Sequence, residues 1–305
     1  MTLKDQLGSR GEIGAAGAVT MADGEMIVEI LPTIGARLHR LRVFGHDLLR
    51  TPEEPAVHLS HPFLWGAYVM APWCNRIAAV RTQAGDGIVD VRPDPGATTA
   101  LHGQVYAAPW ASGPGGSFVI RGGGDGWPWP YETTLRFSIL GPPDRPSLRI
   151  EQTLSNLGPS PMPGGLGIHP WFRGPVELTI GSDLVLPSNI DPDTEAEPVS
   201  GPFDLRDGKP MAVGLDATWP EPPGGDVGFR WPSLGISATL RATSDSGLCI
   251  VAASPRTDGV VAVEPETHAP QGLRRLLSGE PYGMRWLDPG ATIHLDTDLT
   301  FRREG

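Results

Sequence analysis

Ile293-His294-Leu295-Asp296-Thr297-Asp298-Leu299-Thr300-Phe301 alternates apolar-leaning and polar residues with period two. Successive side chains of a strand point to opposite faces, so such a stretch gives one face to a core and the other to water. The same pattern recurs over residues 135–140, where Leu135, Phe137 and Ile139 alternate with Arg136 and Ser138, and over 148–154 and 236–241. These segments predict half-buried antiparallel strands. Residues 248–253 and 260–263 are instead continuously apolar. They predict strands buried on both faces.

Helix signals are few. Residues 267–278 predict one short helix after Pro270, with Leu273, Leu276 and Leu277 on one side. The 40 glycines and 33 prolines are scattered between apolar runs without a repeat, so they read as turns. The glycine-rich segment 113–126 lacks the Lys-Ser/Thr of a phosphate loop, opens no helix and reads as a turn. Residues 195–202 and 219–225 read as loops, and no linker divides the chain. The expectation is therefore all-β, a large antiparallel β-sandwich with few short helices, in one domain over 1–305.

The 305 residues are enough for a large core. A formal net charge of −11 argues against a nucleic-acid or anionic-membrane partner. No apolar run reaches the length of a membrane span, and residues 1–8 lack a basic segment followed by an apolar one. Cys74 and Cys249 are too few for a disulfide scaffold. The chain reads as soluble and cytoplasmic, with monomer and homodimer both open.

Two distant segments carry titratable groups at the ends of strand-like runs. Gly167-Ile168-His169-Pro170-Trp171-Phe172 offers an imidazole, and Val263-Glu264-Pro265-Glu266-Thr267-His268 a carboxylate. An imidazole and a carboxylate converging on one small molecule can pass protons in and out. Glu264 follows four apolar residues, so desolvation is expected to raise its pKa, and Pro265 is expected to end the strand. Alternation is taken to point Glu266 the other way, and His268 reads as a loop histidine. Arg76 offers a guanidinium fork for hydroxyls or a carboxylate, with the Asn75 amide beside it. His102, next to Gly103, supplies a second imidazole, and Asp216 can accept sugar hydroxyl hydrogen bonds. Trp171 offers a flat wall. Each residue alone also has an ordinary structural role: a sheet histidine, a strand-end Glu, an ion pair or a turn Asp. Cys74 reads as a buried thiol. No metal motif emerges: His58 and His61 have a two-residue gap but no further ligand spacing, and His39 and His46 read as structural.

In order, Asn75-Arg76-Ile77, Leu101-His102-Gly103 with Pro109-Trp110, Gly126-Trp127-Pro128-Trp129, the 156–172 segment, Glu264-Pro265-Glu266-Thr267 and Leu287-Asp288-Pro289-Gly290 resemble the aldose 1-epimerase (galactose mutarotase) family. The resemblance covers roughly residues 25–302. The Trp127-Pro128-Trp129 piece looks like the family's aromatic-Pro-aromatic turn, and the Glu264 segment its Glu-Pro-x-Thr element. The resemblance implies a sugar site in an open cleft and chemistry without metal or organic cofactor. It makes Glu264 the base that takes the C1 hydroxyl proton of a monosaccharide and His169 the acid that protonates the ring oxygen. His102 would assist, Arg76 and Asn75 would orient the sugar, and Asp216 would bind it. Three departures bear on specificity: Trp171 where the family has Tyr, Arg173 where it often has Asn, and 78–82 where it has Gly and an aromatic. A hexose-6-phosphate 1-epimerase would need a basic cluster, for which Arg76, Arg81 and Arg173 are the candidates. A non-catalytic sugar-binding protein would need neither Glu264 nor His169.

Overall fold

The alternation over 293–301 becomes the strand Thr292–Arg303, in which Ile293, Leu295, Thr297, Leu299 and Phe301 are buried. It pairs antiparallel with Ser147–Asn156 on one side and Ile236–Ser244 on the other, and both neighbours alternate in the same way. These three strands form the middle of a nine-stranded sheet that also holds the long strand Trp127–Leu140. The structure is a computed structural model and describes residues 12–13, 17–78, 81–94, 97–256 and 259–304. The N-terminal reading at 1–8, and Ala79 and Val80 within 78–82, lie outside the described residues.

A second, ten-stranded sheet carries the continuous apolar runs. Its strands Ala67–Met70, Gly167–Arg173, Val260–Glu266, Cys249–Ala253 and Asp216–Pro220 are neighbours in that order, and every pairing is antiparallel. Every residue of Val260–Glu266 is buried. The inner face of this sheet packs on the first: Ile168, Pro170 and Phe172 share one interior space with Ile150, Leu240 and Leu299. The architecture is thus a large antiparallel β-sandwich, as the patterning predicts. By period two, His169 and Trp171 face away from that core, where Tyr68, Met70, Cys74, Trp171, Val260 and Ala262 build a smaller outer cluster. One strand thereby builds the core with alternate residues and presents chemistry with the others.

Several local expectations are corrected. The glycine run is not one turn: Phe118–Gly124 is a strand paired with Trp127–Leu140, with a register shift between Gly122 and Gly124. Gly122 is there because a Cβ would lie 2.2 Å from the Tyr131 ring. Trp127-Pro128-Trp129 is correspondingly strand, with Asp125 and Gly126 making the turn. Pro265 does not end its strand, which runs on through Glu266. Trp219, read as loop, is fully buried in the strand Asp216–Pro220. The expected helix is Gly272–Ser278, but Leu277 is 40% exposed. Arg275 is buried on that helix instead, donating to the carbonyls of Pro270 (3.0 Å) and Thr194 (2.7 Å). A second four-residue helix, Val57–Ser60, had no signal in the sequence.

Candidate active site

Strand alternation turns His169 outward from the Gly167–Arg173 strand, and Glu264 lies two positions before the end of the neighbouring Val260–Glu266 strand. The His169 Nε2 and Glu264 Oε1 atoms are 3.1 Å apart, and both side chains are almost wholly buried. They sit at the floor of a cleft of about 390 Å³ whose lining also includes Phe63, Tyr68, Asn75, Arg76, His102, Trp171, Asp216 and Arg256. The volume lies within the usual range for a small-molecule site.

Aromatic packing fixes the acid candidate. The Tyr68 ring stacks on His169 at 4.6 Å between centroids, Trp171 lies against it at 4.9 Å, and His102 meets it edge-on at 5.1 Å. Tyr68 in turn lies under the buried Arg37 guanidinium, which donates to the carbonyls of Trp65 (2.8 Å) and Tyr106 (3.2 Å). Trp171 is held by its indole N–H, which donates to the Phe63 carbonyl at 2.6 Å.

His102 is placed by backbone geometry. Its φ is +60° and that of Gly103 is +76°. The His102 N–H donates to the Asn75 carbonyl (2.9 Å), and the Gln104 N–H to the Ala71 carbonyl (2.7 Å). A Cβ on Gly103 would fall 2.0 Å from that Ala71 oxygen, so only glycine permits the approach. Asn75 also has positive φ, at +51°, which Asn tolerates better than most residues. Its Oδ1 accepts from the Arg76 backbone N–H (3.0 Å) and from Arg76 Nη1 (3.2 Å). Arg76 Nη2 lies 3.9 Å from Asp216 Oδ2. Asp216 accepts from the Asn189 amide, whose own Oδ1 accepts from Thr218 Oγ1 at 2.6 Å.

The segment after Glu264 ties these parts together. Thr267 Oγ1 accepts from the Leu166 N–H (2.9 Å), just ahead of the His169 strand. His268 accepts from the Cys74 N–H at Nε2 (3.0 Å) and holds the Ala269 carbonyl with Nδ1 (2.8 Å). His268 is therefore a loop histidine, as expected, but a fully buried one that anchors the Asn75–Arg76 corner to the Glu264 strand.

Burial sets the protonation states. It pushes His169 down to about 3 and His102 well below the ordinary histidine value, the latter helped by His169 and Arg76. Burial first, then Glu266 and Asp216, drive Glu264 well above the usual carboxylate range. The Cys74 thiol is also pushed up by burial, which removes it as a nucleophile. Donor atoms of His102, His169 and Glu264 lie within 4.8 Å of one another.

The seven predicted site residues, Glu264, His169, His102, Arg76, Asn75, Asp216 and Trp171, all line this one cleft. Two expectations about neighbours do not hold. Glu266 does not point away from Glu264: two positions apart on one strand they share a face, and Glu266 is wholly buried against it. The basic cluster of Arg76, Arg81 and Arg173 does not form. Arg81 pairs with Asp90 at 3.0 Å, and Arg173 donates to the Leu49 carbonyl at 2.8 Å. The second cation of the cleft is Arg256, exposed at its edge beside Gly214. Phe63, Tyr68, Asn189 and Arg256 carried no sequence signal, because each lies in an apolar run or an ordinary loop. His58 Nε2 is hydrogen-bonded to His39 Nδ1 at 2.9 Å.

The family model described as aldose 1-epimerase matches residues 17–256. No curated protein sequence matches the chain. Among solved structures, a putative aldose 1-epimerase of Escherichia coli K12 superposes with a TM-score of 0.77 at 16% identity, over 94% of this chain and 99% of the other. A GalM/aldose epimerase homologue from C. elegans gives 0.78 at 17%, over 95% and 100%. A galactose mutarotase-like protein of Clostridium acetobutylicum gives 0.78 at 17%, over 96% and 98%. At these identities the likeness establishes the fold. The family match stops short of Glu264, whose assignment rests on the geometry.

Proposed function

Because this chain belongs to the aldose 1-epimerase family, we propose that it interconverts the α and β anomers of a free sugar by acid–base ring opening and reclosure. The observation that carries the proposal is the buried contact of 3.1 Å between His169 Nε2 and Glu264 Oε1 on the floor of the cleft. Such a pair holds one mobile proton, as imidazole beside carboxylic acid or as imidazolium beside carboxylate. The first form is favoured by burial of both groups. A sugar lying across the pair calls on the second: Glu264 takes the C1 hydroxyl proton while His169 gives a proton to the ring oxygen. The bond from C1 to the ring oxygen breaks and leaves the aldehyde. After rotation about C1–C2, the ring oxygen attacks the other face, and both protons return. Nothing is consumed, and no oxidant or reductant enters.

His102, edge-on to His169, assists at the ring oxygen or a neighbouring hydroxyl. Arg76 and Asn75 orient the sugar, Asp216 accepts from its hydroxyls, and Trp171 bounds the ring. A purely sugar-binding role would not require two ionisable groups buried in contact, since burying them costs stability. The proposal takes residues 1–305 as one domain, in the cytoplasm, as monomer or homodimer. No helix among the described residues is long and apolar enough to cross a membrane. Arg256 favours a second reading of the substrate, in which the sugar carries an anionic substituent such as a 6-phosphate. Polarimetry on pure anomers of neutral, acidic and phosphorylated aldoses tests both. Acceleration of one class is expected, and an unchanged rate for all of them would defeat the proposal.

A further inference from the structure

Glu266 is a wholly buried carboxyl that the acid–base scheme leaves idle. In the Glu-Pro-x-Thr element it occupies the unspecified position. Its side chain lies on the same strand face as Glu264, and that carboxyl is its principal polar neighbour. The space around it is closed: a Cβ on Gly167 would lie 3.2 Å from Glu266 Cγ and 2.8 Å from Cys74 Sγ. No donor meets either Glu266 carboxyl oxygen in good hydrogen-bond geometry, and Glu264 Oε2 is equally unmatched.

Two ionised carboxylates in contact without donors are not a stable buried arrangement, because desolvation and repulsion act together. The other groups bearing on Glu266 do not relieve it. Asp216 repels it, and the buried Cys74, Cys249 and Tyr68 stay protonated. Arg76 attracts it but faces Asp216, and the Asn75 amide favours its ionised form without a hydrogen bond to either oxygen. What links two adjacent acceptors is a proton. We infer that Glu266 is protonated at neutral pH and is a positioning residue: when Glu264 gives up its own proton, the two carboxyls share the one on Glu266, which donates to Glu264 and favours its ionised, basic form. This rests on the reading of Glu264 as the base. The charge count then closes: Glu266 stays neutral, Glu264 accepts from Glu266 on one oxygen and faces His169 with the other. Close pairs of carboxyls that share one proton are a known device for separating two acid strengths.

Infrared difference spectroscopy of wild type against Glu266→Gln at neutral pH tests the shared proton. The expected result is loss of a protonated-carboxyl C=O band. Loss of carboxylate stretches instead would mean that Glu266 is ionised, and would overturn the inference. This outcome is independent of turnover, so its failure is distinct from failure of the epimerase proposal. The pH profile tests the positioning role. Glu266→Met removes the donor, and the acid limb of kcat/KM should move up by about one pH unit or more. Glu266→Gln restores a donor and should bring the limb back toward wild type. A Met variant that is slower at every pH with an unmoved limb would reduce Glu266 to packing and overturn the role.

Discussion

Replacing Gly103 by alanine isolates the backbone approach that places His102. Alanine at a φ of +76° costs roughly 1–2 kcal/mol from left-handed strain alone. The new methyl would also lie 2.0 Å from the Ala71 carbonyl oxygen and 2.4 Å from its carbon, so backbone must move. Overpacking of that kind adds about 1–3 kcal/mol. The loss is therefore about 2–5 kcal/mol, with the Gln104-to-Ala71 hydrogen bond at risk. Gly290 is the control: its φ is +78°, but nothing lies within 4 Å of a Cβ there. Gly290→Ala should cost only the strain, about 1–2 kcal/mol. Urea unfolding with an unchanged slope gives both values. Anomer exchange should fall for Gly103→Ala, because His102 shifts, and hold for Gly290→Ala. Equal stability losses in the two variants, or wild-type activity in Gly103→Ala, would refute the claim that the Ala71 contact fixes the histidine.

Three further outcomes follow from the same structure. Thr297 is buried in the strand that reveals the fold, yet its hydroxyl has no partner. Thr297→Val should raise stability by about 1 kcal/mol in urea unfolding, since it removes an unmatched polar group at equal shape. Arg256→Gln should lower kcat/KM for an anionic sugar by about tenfold or more and leave neutral hexoses nearly unchanged. Equal effects on both would remove Arg256 from specificity. In the folded state burial lowers His39 to about 4, His58 to about 2, His169 to about 3 and His268 to about 4. The unfolded chain therefore takes up protons first, and the stability these histidines contribute above about pH 6.5 is lost as pH falls toward 4. Glu264 and Glu266 are raised, so their contribution is greatest at low pH, is lost as pH rises and opposes that trend. The Glu264→Gln/Glu266→Gln double variant should thus lose urea stability more steeply than wild type between about pH 6.5 and 4.5.

The fold was legible wherever side-chain period and burial coincide. Ile293 to Phe301 announces its half-buried strand residue by residue, and 260–263 announces a strand covered on both faces. The cleft was legible through titratable residues at the ends of such runs, together with the family resemblance. The rest depends on non-local pairing. Tyr68 looks like any apolar strand residue until antiparallel pairing sets it opposite His169. Arg256 and Asn189 sit on loops whose approach to Arg76 no local pattern encodes. Glu266 departs from its expectation because residues two apart on a strand share a face. The glycines at 122–124 looked like a turn because a strand seldom tolerates so many. Here the Tyr131 ring of the neighbouring strand demands Gly122, the Trp129 carbonyl crowds Gly123, and the register shifts between Gly122 and Gly124.

One rate tests directly whether Glu264 and His169 open a sugar ring between them. Anomer exchange of the substrate sugar, followed by NMR, measures it directly in wild type and in Glu264→Gln with the fold verified. Loss of the carboxylate base should slow catalysed exchange by about 10²–10⁴-fold. Full retention of the wild-type rate in Glu264→Gln would show that Glu264 is not the base.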